Sequence, residues 1–239
     1  MLKALFVGGR VVTGVHHGDA FSKLSENEKN SRELLSGFWD DQTGKFVVPD
    51  SFTFFTKKII LVRHSLVQEH EESDPSLSYE GHNRCCKTAR FLVDTEDLTG
   101  FVGYTSPMLR CLETAANISR LTGIKFAVDP SFVEAFPTPI EVPNRRELFP
   151  DFRWDSLDSY CLGEETPIQF ARRLEQVIKT MPQKAIIISH CTFIANMAEL
   201  ISGNYSLQDT YPSIPAASVT LIDNYKIVYV GKQAYYEEV

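Results

Sequence analysis

The stretch "KKIILVRHSLVQEH", residues 57–70, decides how this chain is read. Ile59, Ile60, Leu61 and Val62 form an unbroken apolar run, and Arg63 and His64 follow it directly. An apolar run of this length without alternation fits a strand covered on both faces. Such a strand ends at the rim of a sheet, where open α/β proteins bind ligands. A buried strand that merely runs out into solvated polar residues gives the same local pattern. The rest of the chain has to separate the two readings.

A second stretch repeats the grammar. In "AIIISHC", residues 185–191, another apolar run ends in a polar residue and a histidine. His64 and His190 therefore both fall at carboxyl ends of strands, which share one rim if the strands are parallel. Between them, "TSPMLRCLETA", residues 105–115, sets Arg110 in the first turn of a helix after a third strand end. A cation there opposes the helix dipole. The placement makes sense when an anion joins it, because backbone N–H groups and a guanidinium can share one phosphate.

The chain has 239 residues and a formal net charge of −7, which argues against a dedicated nucleic-acid binder. No run is long enough to span a bilayer and no signal peptide is expected, so no membrane partner is expected either. The cysteines are Cys85, Cys86, Cys111, Cys161 and Cys191, without CxxC spacing. A reducing, cytoplasmic setting is the expectation. Cys85 and Cys86 read as packing residues.

Residues 1–57 read as an extension. A short strand or a hairpin with a Gly8-Gly9 turn is expected near the start, a polar helix in 25–39, and a turn with an edge strand in 40–52. His16 and His17 read as solvated loop histidines. An edge hairpin, a lid and a dimer contact are the extension's candidate uses, so a homodimer is among the expectations.

From Lys57 onward strands and helices alternate, which predicts an α/β fold. One helix is expected from about Ser78 to Leu92, capped by Ser78, with His82 on its exposed side. The next should bury Leu109, Leu112, Ala116 and Leu121 and stop at Gly123. Residues 131–163 form a proline-rich excursion carrying Arg145, Arg146, Phe149, Phe152 and Trp154. Its aromatic residues either line a pocket or pin the loop to the body. Thr166 and Pro167 open a third helix, and a terminal hairpin turns at Asp223-Asn224.

Six segments in order carry a resemblance to a known family. "LVRHS", "DPSLSYEGHNRCCKTARFL", "TSPMLRCLETA", "VDPSFVEAF", "GEETPIQFARRL" and "IIISHC" resemble the motifs of the histidine phosphatase superfamily, the phosphoglycerate mutase-like fold. The resemblance covers about residues 58–223. It implies a three-layer α/β/α sandwich with a mostly parallel central sheet in residues 58–239, plus the N-terminal extension 1–57, with 131–163 as a cap excursion.

By the same resemblance, His64 is the nucleophile that takes a phosphoryl group. Arg63, Arg110 and His190 hold its oxygens, and Glu134 protonates the leaving alkoxide, with Glu141 as fallback. Ser65 and Cys191 stand where the family usually has glycine, and Ser65 is placed among the phosphate-binding residues through its hydroxyl. Arg145 and Arg146 are candidate substrate-binding residues. The partner is a small phosphorylated molecule; no cofactor and no metal are called for. The chemistry fits these residue types, since a neutral imidazole can attack phosphorus and fixed cations stabilise the transferring group. Three functions remain in view: a phosphomonoesterase, a mutase-type phosphoryl transferase, and a catalytically weak relative that binds a phospholigand or a protein.

Overall fold

A computed structural model describes residues 39–40, 45–46, 57–69, 74–134, 140–154, 160–162, 165, 167–202, 214–224 and 226–234. The hairpin and polar helix expected before Trp39, along with His16, His17 and Thr166, lie outside the described residues. Of the extension, β1 (Trp39–Asp40) and β2 (Lys45–Phe46) pair antiparallel, and the turn expected between them lies outside the described residues.

The first helical layer and its strands come next. They are β3 (Lys58–Arg63), α1 (Tyr79–Thr95), β4 (Val102–Thr105), α2 (Leu109–Thr122) and β5 (Phe126–Val128), then a 3-10 turn at Pro130–Phe132. The excursion contributes β6 (Ile140–Val142), β7 (Arg153–Trp154) and β8 (Tyr160–Leu162). The chain continues through α3 (Pro167–Thr180), β9 (Lys184–Ser189), α4 (Cys191–Ser202), β10 (Val219–Asp223) and β11 (Lys226–Lys232).

Seven strands form one sheet in the order β11-β10-β3-β9-β4-β5-β7. The run from β3 to β7 is parallel, and β10 and β11 add an antiparallel edge. Side chains alternate across this sheet. Ile59, Leu61, Ala185 and Ile187 join Phe170, Leu174, Phe193 and Met197 of α3 and α4 on one face. Ile60, Val62, Ile186 and Ile188 join Leu92, Leu112 and Ile118 of α1 and α2 on the other. The unbroken apolar runs are therefore strands with a helical layer on each side, as an α/β/α sandwich requires.

Local signals set the helix ends. Ser78 caps α1 by accepting the Gly81 N–H at 3.0 Å. Gly123 closes α2 in the left-handed region at φ 73°. Asn224, at φ 49°, turns the terminal hairpin. Two expectations are corrected here. His82 is half-buried rather than exposed, and its Nδ1 lies 2.9 Å from the Asn117 amide nitrogen on α2. The buried stripe of α2 is Cys111, Leu112, Ala115 and Ile118, while Leu121 is 43 % exposed. Packing against α1 and the sheet rotates the helix about one position from the stripe that leucine spacing suggests.

In the excursion, Phe152 sits 5.9 Å from Phe126 and stacks on Phe149 at 5.5 Å. The aromatic residues thus pin this segment to the sheet's end. Among the described residues no helix is long and apolar enough to cross a membrane.

Candidate active site

Register explains why the two apolar runs end in histidines. Arg63 pairs with Ser189, so the residues that follow, His64 and His190, emerge side by side. The His64 N–H donates to the Ser189 carbonyl at 2.8 Å, and the Ser106 N–H donates to the Ile188 carbonyl at 3.0 Å. Three parallel strands, β3, β9 and β4, therefore deliver His64, His190 and Ser106 to one rim. The two imidazole rings lie edge to face with centroids 5.2 Å apart.

His64 Nδ1 lies 2.9 Å from the Ser65 carbonyl. A carbonyl only accepts, so Nδ1 carries the proton and Nε2 keeps its lone pair. Burial, then Arg110, push the His64 imidazole down to about 3, with Arg63 adding to the effect and the Ser65 hydrogen bond opposing it. Burial, then Arg110, also hold His190 well below the ordinary histidine value. Both rings are neutral near pH 7. The same couplings place Arg63 and Arg110 within electrostatic reach of both histidines.

Arg63 anchors its Nη1 on the Ile214 carbonyl at 2.5 Å, and among the described residues its buried Nε has no hydrogen-bond partner. The loop behind it is fixed by Ala217, whose N–H donates to the carbonyls of Arg63 and His64 at 3.1 and 3.3 Å. Ala217 adopts φ 58°, a region that L-residues with a Cβ avoid. Its carbonyl accepts from Thr88 of α1 at 2.6 Å, which holds that conformation in place.

Arg110 sits in the first turn of α2, as its position in the sequence implies. Its partner is Asp74, a residue given no role from sequence. Asp74 accepts the Leu109 N–H at 2.9 and 3.0 Å and pairs with Arg110 at 3.1 Å. It also lies 3.0 Å from Arg145 Nη1. That contact is an ion pair by distance, and among the described residues Nη1 makes no hydrogen bond. The two candidate substrate arginines therefore separate. Arg145 comes to the Arg110 end of the site, whereas Arg146 is exposed and donates to the Trp154 carbonyl at 3.2 Å.

Glu134 and Glu141 separate in the same way. The Glu134 carboxylate accepts the N–H groups of Thr192 and Phe193 at 3.3 and 3.2 Å, in the first turn of α4 just past His190. Its loop is cradled by Arg173, which donates to the Ser131 and Val133 carbonyls at 2.8 and 2.9 Å and grips Glu165 through two nitrogens. Ser189 of β9 adds a bond to the Phe132 carbonyl at 2.7 Å. Glu141 lies exposed on β6.

The Ser65 hydroxyl is not where the phosphate-binding expectation puts it. Ser65 is fully buried, donates to the Gly81 carbonyl at 2.7 Å, and its N–H goes to Thr114 Oγ1 at 3.1 Å. The side chain turns inward to α1 because a buried hydroxyl takes the nearest strong acceptor. Gly81 lets α1 approach the next residue of that loop closely: a Cβ there would lie 2.1 Å from the Leu66 carbonyl oxygen. Cys191 is half-buried at the start of α4.

The sequence model of the histidine phosphatase superfamily (branch 1) matches residues 59–227, which contain every group just described. The chain belongs to this superfamily. No curated protein sequence matches it. Among solved structures, it is similar to one described as mycobacterial hydrolase 2, with TM-score 0.55 and 14% identity, covering 76% of this chain and 93% of that one. A mycobacterial glucosyl-3-phosphoglycerate phosphatase with inorganic phosphate gives TM-score 0.54 and 14% identity, covering 76% and 100%. At that identity the likeness is one of fold. The superfamily's three-layer, mostly parallel architecture is the one found here.

Proposed function

We propose that this superfamily member hydrolyses phosphomonoesters of small molecules through a phosphohistidine on His64. The observation that carries the reading is the state of His64: neutral, with Nδ1–H tied to the Ser65 carbonyl and the Nε2 lone pair left at the rim beside Arg63, Arg110 and His190. In the first step Nε2 attacks phosphorus and the P–O bond to the leaving alkoxide breaks. Glu134 supplies the proton that the alkoxide needs. In the second step water attacks phosphorus, the P–N bond breaks, and Glu134 takes the water's proton. The arginines and His190 stabilise the three phosphoryl oxygens throughout. The phosphatase named among the structural neighbours agrees with hydrolysis in a relative of the same fold.

A mutase-type transfer is the second reading. It draws support from Arg145, which stands next to Arg110 and could grip a second anionic group on the substrate.

The test is a rapid quench after mixing with a phosphomonoester. The protein should carry phosphate in an acid-labile, base-stable form, and His64→Ala should lose about 10⁴-fold or more in turnover. Unchanged turnover in His64→Ala would end the phosphohistidine reading. With 3-phosphoglycerate as substrate, isomer appearing faster than free phosphate would replace hydrolysis by transfer.

A further inference from the structure

Ser106 follows β4 directly and begins the turn into α2. Its Oγ is 2.9 Å from His190 Nε2, and Cys111 Sγ is 3.5 Å from the same nitrogen. Ser106 and Cys111 are fully buried and His190 is 1% exposed, so water does not complete their hydrogen bonding. A buried hydroxyl requires an acceptor for its proton. Ser106 Oγ accepts the Met108 N–H at 3.4 Å, and the Cys111 thiol donates to the Ser189 carbonyl at 3.7 Å. Two acceptors then compete for the Ser106 proton: the lone pair of His190 Nε2 and the sulfur of Cys111. An imidazole nitrogen at 2.9 Å is much the better acceptor, because thiol sulfur accepts weakly. Were Nε2 to carry the ring proton, the Ser106 hydroxyl would be left with sulfur alone.

A neutral imidazole has one N–H. With the lone pair engaged at Nε2, that N–H sits at Nδ1. We propose that Ser106 is a positioning residue that fixes His190 as the Nδ1–H tautomer and so makes Nδ1 the ring's single donor to a bound phosphoryl group. The fold supplies the geometry: β4 and β9 pair in parallel with Thr105 beside Ile188, so the next residue of each strand end meets the other's neighbour. The tautomer stands independently of the catalytic reading; its consequence for phosphate rests on that reading.

The experiment uses the full chain labelled with ¹⁵N-histidine. His190 resonances are identified by their loss in His190→Gln. The expected pattern in the wild type is a protonated Nδ1 and a bare Nε2, and a protonated Nε2 with bare Nδ1 would overturn the proposal. This spectrum decides the matter even where the Ser106→Ala protein fails to fold. Ser106→Ala should give mixed tautomers and bind inorganic phosphate about tenfold more weakly, while Ser106→Thr, which keeps the hydroxyl, should restore both. A Ser106→Ala protein that keeps the pure Nδ1–H pattern and full phosphate affinity would also overturn it. A wild type that shows the Nδ1–H tautomer yet binds no phosphate upholds the action of Ser106 on His190 and counts against the phosphatase reading instead.

Discussion

Gly81→Ala sets two effects against each other inside one helix turn. Alanine is the better helix former by about 1 kcal/mol, so propensity alone says the variant gains stability. Contact says otherwise. The added Cβ would lie 2.1 Å from the Leu66 oxygen, 3.1 Å from its carbon and 3.3 Å from its nitrogen. Carbon and oxygen normally stand about 3.3 Å apart or more, so the helix and the loop must separate by about 1 Å. Neither side yields freely. The Leu66 carbonyl accepts the Ser78 N–H at 2.9 Å, and the Gly81 carbonyl accepts the Ser65 hydroxyl at 2.7 Å. Overpacking costs about 1–3 kcal/mol, and the two weakened hydrogen bonds cost about 1 kcal/mol each. After the propensity gain, the net loss is about 2–4 kcal/mol, or a melting temperature lower by roughly 5–10 °C. The displaced loop carries His64, so turnover should fall by about a hundredfold. Thermal unfolding by circular dichroism, with kcat/KM measured in parallel, checks both numbers. A Gly81→Ala protein as stable as the wild type, or more so, would refute the argument and show that the loop yields.

Three further outcomes follow from the site. Unfolded histidine takes a proton below about 6.5, but folded His64 does so only near 3 and folded His190 also well below its ordinary value. The unfolded state therefore binds more protons in that window, and stability should fall as pH falls from about 6.5 towards 3, by at most about 1.4 kcal/mol per unit for each histidine. Denaturant midpoints between pH 7 and 4.5 should drop less steeply in His64→Gln, and equal slopes would refute the linkage. Asp74→Ala removes the anion shared by Arg110, Arg145 and the Leu109 N–H, and urea unfolding should show a loss of about 2–4 kcal/mol; a loss under 0.5 kcal/mol would mean the pairs are screened. Ser65→Gly should cost about 1–2 kcal/mol through the lost bond to Gly81 while kcat/KM stays within about threefold; a tenfold rise in kcat/KM would show that the serine obstructs the phosphate site.

The fold was legible because its signals are local. Ile59–Val62 and Ala185–Ile188 announce doubly covered strands without reference to anything else, and Ser78 and Gly123 mark helix ends within one turn. The meeting of the site's residues was legible for the same reason: Arg63 ends β3, His64 and His190 each follow a strand end, Arg110 lies in the first turn of the helix after β4, and parallel pairing does the rest. What stayed hidden depends on contacts between distant segments. Arg63 finds its carbonyl partner 151 residues away at Ile214. Arg173 reaches back about 40 residues to cradle the Glu134 loop. Asp74 opens a recognised motif, yet nothing nearby in sequence tells that it meets Leu109 and Arg110, 35 and 36 residues on. Arg145 and Arg146 are neighbours with the same side chain. Only the turn that begins at the Arg145 carbonyl sends one to Asp74 and the other to solvent.

The balance of charge at the rim links these contacts to the proposed chemistry. Gathering Arg63 and Arg110 beside the same two rings, with Arg145 on the Asp74 that pairs with Arg110, is costly without an anion. Asp74 offsets part of that cost for Arg110 and Arg145, but among the described residues Arg63 has a neutral carbonyl as its side-chain partner and a buried Nε that makes no hydrogen bond. Burial, and then the positive charge beside them, keeps both titratable rings neutral. Neutrality serves the rings differently because their hydrogen-bond partners differ. The Ser65 carbonyl takes the proton side of His64 and leaves a nucleophilic lone pair at Nε2. At His190 the Ser106 hydroxyl lies against Nε2, and a hydroxyl, unlike a carbonyl, can donate. Two histidines 5.2 Å apart, under the same field, thus differ in their hydrogen-bond partners, and in the proposed reaction one attacks phosphorus while the other holds its oxygens.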